Sequence, residues 1–194
     1  SKGVKTFINT DTYFNKGKGY YSNLLNYSFS KKSLMFCLSK ISDKLKIINV
    51  ILEHIYGPYD SDSKFVENMI QNIAVQRVSK LSLTKGYQKR DFIYVKDVVS
   101  AYLKLIEYGR THKFLLETFE LGTGQSTEIR EFCERIKLLS NSPTQLAFGD
   151  IPYRVDEIME SKADISKLQK LGWEPTLSLS KGLEGILNKY IGNI

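Results

Sequence analysis

The sequence predicts an α/β protein: a doubly wound parallel sheet carrying a smaller α/β lobe toward its C-terminal end. Three observations support this. Two β-branched runs, 5–9 and 45–52, flank a helical pattern at 27–43, giving strand, helix, strand within about 50 residues, which favours parallel strands joined by crossovers. A further apolar strand at 92–95 runs into a helical pattern through Tyr108. Beyond the polar stretch Ser140-Asn141-Ser142-Pro143, helical patterns and turn signals fill the rest of the chain.

Each element has a local reason. Lys5-Thr6-Phe7-Ile8-Asn9 reads as a short buried strand ending in the polar Thr10-Asp11-Thr12, and a Gly/Lys/Asn-rich loop follows to Asn26. In the helix at 27–43, Leu34, Leu38, Ile41 and the following Leu45 mark an apolar stripe. The strand at 45–52 stops where Gly57-Pro58 punctuates a turn. A helix is expected at 65–79, and Asp97 is expected to cap the helix that ends near Tyr108. A short strand at 118–121 enters the turn Gly122-Thr123-Gly124-Gln125. Ser126 or Thr127 should cap the next helix, with Glu128 and Glu131 in its first turn and Lys137 near its end. A helix at 164–171 stops at Gly172, and Trp173-Glu174-Pro175 breaks the chain before a last helix.

Composition narrows the function. The 194 residues are 42% hydrophobic and 12% aromatic, ordinary for a globular protein, with no apolar run long enough to span a membrane. The N-terminal residues open almost directly into a strand, without an apolar signal segment. Cys37 and Cys133 both fall in helix-like runs, which suits a reducing cytoplasm. The net charge of +7 comes from scattered lysines, with no basic block interleaved with aromatics and no zinc-ligand spacing. A small anionic ligand therefore fits better than nucleic acid.

The chemistry centres on Tyr27-Ser-Phe-Ser-Lys31. In a helix the two side chains lie one turn apart on one face. A phenol titrating near 10 is a poor acid or base at neutral pH, and a nearby cation favours its ionised form, so the pair suits proton transfer to an alcohol or ketone. A tyrosine and a lysine sharing a wet helix face is the plainer reading. Position adds weight, because ligands of parallel sheets bind outside the carboxyl ends of the strands. Thr10, Asp11, Glu53 and His54 stand at such ends, and Tyr27 begins the helix between them. One site could hold Thr10, Tyr27, Lys31 and His54 together. Arg90, just before an apolar strand, is either a solvated charge or a guanidinium shaped for a diphosphate.

Tyr27-x-x-x-Lys31, the upstream Thr10, His54-Ile-Tyr-Gly-Pro58, Arg90-Asp-Phe-Ile-Tyr-Val-Lys-Asp97, Leu121-Gly-Thr-Gly124 and Leu171-Gly-Trp-Glu-Pro175 stand in an order that resembles the extended short-chain dehydrogenase/reductases, which modify nucleotide-activated sugars. The stretches at 9–14, 52–58 and 154–159 look most similar to the abequose and paratose synthases, reductases acting on the 4-keto group of CDP-3,6-dideoxyhexuloses.

The resemblance implies a partial Rossmann-like sheet and NADP or NAD as cofactor, held by Tyr27, Lys31 and Asn9. It makes Tyr27 the acid/base at the sugar O4, with Lys31 supporting it and Thr10 bonding the same oxygen. It places Asp11, His54, Arg90 and Arg154 around the nucleotide sugar, the two arginines on the diphosphate. It divides the chain into a cofactor-domain remainder at 1–57, a substrate lobe at 58–86, a returning cofactor-domain segment at 87–110 and a substrate-binding lobe at 111–194. Asp11-Thr12 stands where the related dehydratases carry Asp-Glu, which argues against dehydration; an epimerase uses the same Tyr and Thr. No G-x-x-G-x-x-G occurs, so the expectation is the C-terminal two-thirds or less of such an enzyme, inactive by itself, or else a non-catalytic nucleotide-sugar-binding fragment, associating as a homodimer or across an open sheet edge.

Overall fold

The computed structural model describes residues 3–16 and 24–192. Strand β1 (Thr6–Thr12) leads through a short 3-10 turn, Tyr13–Asn15, toward helix α1 (Leu25–Ser39) and strand β2 (Lys46–Leu52). After β2 come β3 (His54–Tyr56), α2 (Phe65–Ile70), β4 (Lys80–Leu83), β5 (Lys89–Arg90), β6 (Phe92–Tyr94) and α3 (Val95–Thr111). Then follow β7 (Leu116–Leu121), β8 (Thr127–Glu128), α4 (Ile129–Leu139), β9 (Gln145–Phe148), α5 (Ser166–Lys170) and α6 (Leu179–Ile191).

The main sheet has the order β1-β2-β7, all parallel, with Thr6 opposite Lys46 and Ile47 opposite Leu116. Its middle strand explains itself: Ile47, Ile48 and Val50 are wholly buried, as a parallel strand covered on both faces requires. The first two strands are parallel and share one sheet, as the sequence predicts.

Two cores result. One joins Ile48, Val50, Phe119 and Leu121 of the sheet to Val98, Ala101 and Leu105 of α3, with Leu168 and Trp173 from the C-terminal region. The other gathers Tyr56, Ile70, Phe92, Phe132, Ile136 and Leu183 into a lobe. Helix α3 binds the parts together. The Asp97 carboxylate accepts from the Thr176 hydroxyl at 2.7 Å and the Leu177 amide at 3.0 Å, and Ser100 Oγ accepts from Trp173 Nε1 at 2.8 Å.

Several expectations need correction. The division of the chain shifts: 116–121 pair with β2 in the main sheet, and Leu168 and Trp173 pack into its core, so 111–194 is not one lobe. Asp97 caps nothing, because its carboxylate is drawn to the C-terminal segment instead; Tyr94 stands at the start of α3. Neither Ser126 nor Thr127 caps α4, since Thr127 is held in β8 opposite Arg90 and the preceding residue is Glu128. The helix at 65–79 ends as a π turn at Gln71–Val75. Strand β9, paired with β4, was not anticipated: its alternation is too short to read. In α1 only Leu38 of the expected stripe is buried, while Leu34 and Ile41 are each 42% exposed. Apolar residues surround this helix, and β1 beneath it is a sheet edge among the described residues, so one flank of α1 meets no strand.

Candidate active site

The site is assembled at the carboxyl ends of β1 and β2. Strand alternation sends Asn9 toward α1, where its Nδ2 donates to Asn49 Oδ1 at 2.7 Å and approaches Met35 Sδ at 4.0 Å. Asp11, also buried, accepts from its neighbour's amide, from Asn15 Nδ2 at 2.8 Å and from Asn49 Nδ2 at 3.4 Å. Thr10 points the other way, toward α3, and its hydroxyl lies 2.6 Å from that of Tyr102.

Tyr27 and Lys31 share a face of α1, the ammonium 5.8 Å from the phenol ring centre. Lys31 Nζ donates to the main-chain oxygen of Thr10 at 2.7 Å. Thr10 and Lys31 are thus brought together, and Tyr27, 44% exposed, stands open beside them. The expected hydroxyl contact between Thr10 and Tyr27 is replaced by the Thr10–Tyr102 pair, because β1 turns the Thr10 side chain to the face opposite α1. The loop expected at 15–26 falls largely on 17–23, which lie outside the described residues.

A cavity of about 510 Å³ opens beside this region, lined among others by Tyr13, His54, Arg90, Arg154 and Glu157. His54 adjoins the β1 end through Tyr13, three residues past Thr10, whose ring lies 4.3 Å from the imidazole; Phe92 meets His54 edge-on. Burial, and then the charge of Arg90, drive the His54 pKa down to about 3, so the ring is neutral. Among the described residues its Nδ1 has no hydrogen-bond partner. A buried, unpaired ring nitrogen at a cavity wall is suited to meet a ligand.

Arg90 and Arg154 both line this cavity. Arg90, however, is 7% exposed, and its guanidinium is held by the Glu157 carboxylate and by the carbonyls of Lys89 and Ile158. The arginine therefore fixes the 157–158 segment as one wall of the cavity. Sequence gave no sign of this, because the partners lie 67 and 68 residues apart.

Lys16 was also missed. Its ammonium lies 2.9 Å from Glu53 Oε1 and 2.7 Å from Glu120 Oε2, at the ends of β2 and β7, and donates to the Lys162 carbonyl. Glu53 is buried, which raises its carboxyl pKa, while bonds from Ser161 and Lys16 act in the opposite sense. Burial alone would lower the Lys16 pKa, but Glu120 and Glu53 outweigh it and hold it above the usual value.

The site sets a phenol and an ammonium of α1 beside the end of β1, next to a cavity lined by arginines and a neutral imidazole. CDP-abequose synthase of Salmonella muenchen is 38% identical over 189 residues, covering 95% of this chain and 63% of that protein. CDP-abequose synthase of Salmonella typhimurium is 32% identical over 188 residues, covering 94% and 62%. The chain thus spans less than two thirds of the length of these curated relatives. Among solved structures, RMD of Pseudomonas aeruginosa complexed with NADPH superposes with a TM-score of 0.81 at 20% identity, covering 95% of this chain and 66% of that one, which speaks for the shared fold. The model of the NAD dependent epimerase/dehydratase family matches residues 18–117, just over half of the chain, and the chain belongs to that family.

Proposed function

We propose that this chain is the catalytic and substrate-binding part of an NAD(P)-dependent oxidoreductase that reduces the 4-keto group of a nucleotide-activated dideoxyhexose, a CDP-sugar by preference, for surface polysaccharide. The observation that carries this reading is the junction of Tyr27, Lys31 and Thr10 with a cavity holding Arg154, Arg90 and His54, in a chain 38% identical to a CDP-abequose synthase. The exposed Tyr27 beside the Lys31 ammonium fits a nicotinamide ribose, with Asn9 behind it on the same face of β1. When bound, the nicotinamide supplies the hydride for C4. Tyr27 gives a proton to the developing alkoxide, Lys31 stabilises the phenolate left behind, and Thr10 donates to the same oxygen. Arg154 meets the diphosphate, Arg90 braces the wall beside it through Glu157, and neutral His54 and Asp11 contact the sugar side.

We place the protein in the cytoplasm, in keeping with its two free cysteines, Cys37 and Cys133; no described helix is long and apolar enough to cross a membrane. Copies associate through the β1 edge and the apolar flank of α1, where Leu25, Phe29 and Phe36 are 48%, 58% and 64% exposed. Light scattering over a concentration series tests this, and a monomer throughout refutes it.

Calorimetry with CDP tests the substrate site on this chain directly. Binding should weaken with salt and weaken about tenfold in Arg154→Ala, whereas indifference to both rejects the anion site. In the complete enzyme, assayed with NADH or NADPH and a CDP-4-keto sugar, Tyr27→Phe should abolish reduction and leave CDP affinity intact. Interconversion of C4 epimers without net consumption of the cofactor would instead identify an epimerase.

A further inference from the structure

Thr10 is held from two sides. Lys31 takes its main-chain oxygen, and 2.6 Å from its side-chain oxygen lies the hydroxyl of Tyr102, from the middle of α3. Tyr102 belongs to none of the motifs read in the sequence. It is partly buried, and burial raises its pKa while the Thr10 bond acts in the opposite sense, so it is a neutral phenol with a proton to place. Two residues before it, Ser100 is bonded to Trp173, and three residues earlier still Asp97 is bonded to Thr176 and Leu177. The phenol therefore stands on a rod fixed at its other end, and its position is set by the fold.

Two hydroxyls 2.6 Å apart share one hydrogen bond, and acidity decides its direction. A phenol is a far stronger acid than an aliphatic alcohol, hence the better donor; its oxygen, conjugated with the ring, is the poorer acceptor. Tyr102 then donates to Thr10 Oγ1, and the Thr10 proton is left to be donated onward. A donor that itself accepts a hydrogen bond is polarised and donates more strongly.

We infer that Tyr102 is a positioning residue for Thr10, fixing its hydroxyl as a donor toward an oxygen that develops charge at the strand ends. This rests on the reading of Thr10 given above. Such an oxygen would be met by Tyr27 from the α1 face and by Thr10 from the α3 face. Without Tyr102 the Thr10 hydroxyl is free to turn and to accept, and an acceptor facing an alkoxide works against the reaction.

The test has two arms. The first needs no turnover. The Raman doublet of tyrosine distinguishes a phenol that donates from one that accepts, and the difference spectrum between the wild-type chain and Tyr102→Phe isolates this residue. A donor signature that is lost in Thr10→Val supports the inference, and an acceptor signature overturns it. The second arm follows reduction of the CDP-4-keto sugar by NADH or NADPH in the complete enzyme. Tyr102→Phe should lower kcat about tenfold, leave KM and CDP affinity unchanged, and add nothing in a Thr10→Val background. An unchanged kcat in Tyr102→Phe while Thr10→Val is impaired overturns the positioning role. Full activity in Thr10→Val removes Thr10 from the mechanism, a separate failure recognisable as such.

Discussion

Replacing Lys16 by methionine probes how the carboxyl ends of the three main-sheet strands are held together. The substitution leaves Glu53, with a side chain 0% exposed, without its cationic partner, while Glu120, 28% exposed, is left to solvent. Removing one partner of a buried pair costs about 3–5 kcal/mol. Here Lys16 is itself 23% exposed and Ser161 continues to donate to both Glu53 oxygens, so we expect a loss of about 2 kcal/mol, with well under 1 from the Glu120 pair. The loss must depend on pH. The folded-state pKa of Glu53 lies above its unfolded value, so its contribution to stability is greatest when it is protonated and declines as pH rises through the folded pKa. Losing Lys16 raises that folded pKa further. The deficit of the variant should therefore be largest at neutral pH and shrink below the unfolded carboxyl range, where Glu53 is neutral in both states. Urea unfolding at several pH values measures this. At neutral pH the melting temperature should fall by about 4–8 °C, for a chain of this length. Glu53→Gln in the Lys16→Met background should recover part of the loss. A deficit independent of pH, or no recovery, would refute the account.

Three further outcomes are expected. His54 should show no inflection by NMR between about pH 5 and about pH 8, and its depressed pKa gives stability that is present above the ordinary histidine range and lost as pH falls toward about 3. Asp97→Ala removes a buried carboxylate that accepts from Thr176 Oγ1 and the Leu177 amide, and should cost about 1.5–3 kcal/mol, with hydrogen exchange rising first in the 173–179 segment. Arg90→Lys keeps the charge but loses the fork shared between Glu157 and two carbonyls; thermal unfolding should come earlier, and CDP binding should weaken through the displaced wall.

The elements that sequence revealed are those whose physics is local. The run Ile47-Ile48-Asn49-Val50 can only be a strand covered on both faces, and the Gly57-Pro58 turn, Gly172 with its positive φ and the Tyr27–Lys31 spacing are likewise legible along the chain. The order of the motifs was enough to place the chain in its family, and with it the parallel main sheet. What remained hidden was decided across distance. Thr10 could be named from its place at a strand end, but only pairing with β2 showed that its hydroxyl turns to Tyr102, 92 residues on. Arg90 could be read as a diphosphate ligand, yet Glu157 claims its guanidinium, and Asp97, expected as a cap, bonds to Thr176 because a carboxylate buried beside two unpaired donors is better satisfied there. Lys16 carried no signal, since its partners Glu53 and Glu120 meet only when three parallel strands end side by side. Periodicity and turn chemistry are properties of neighbouring residues and survive in the linear sequence. The pairing of buried charges is a property of the folded interior, where desolvation makes each unpaired group costly, and only the tertiary structure assigned the partners.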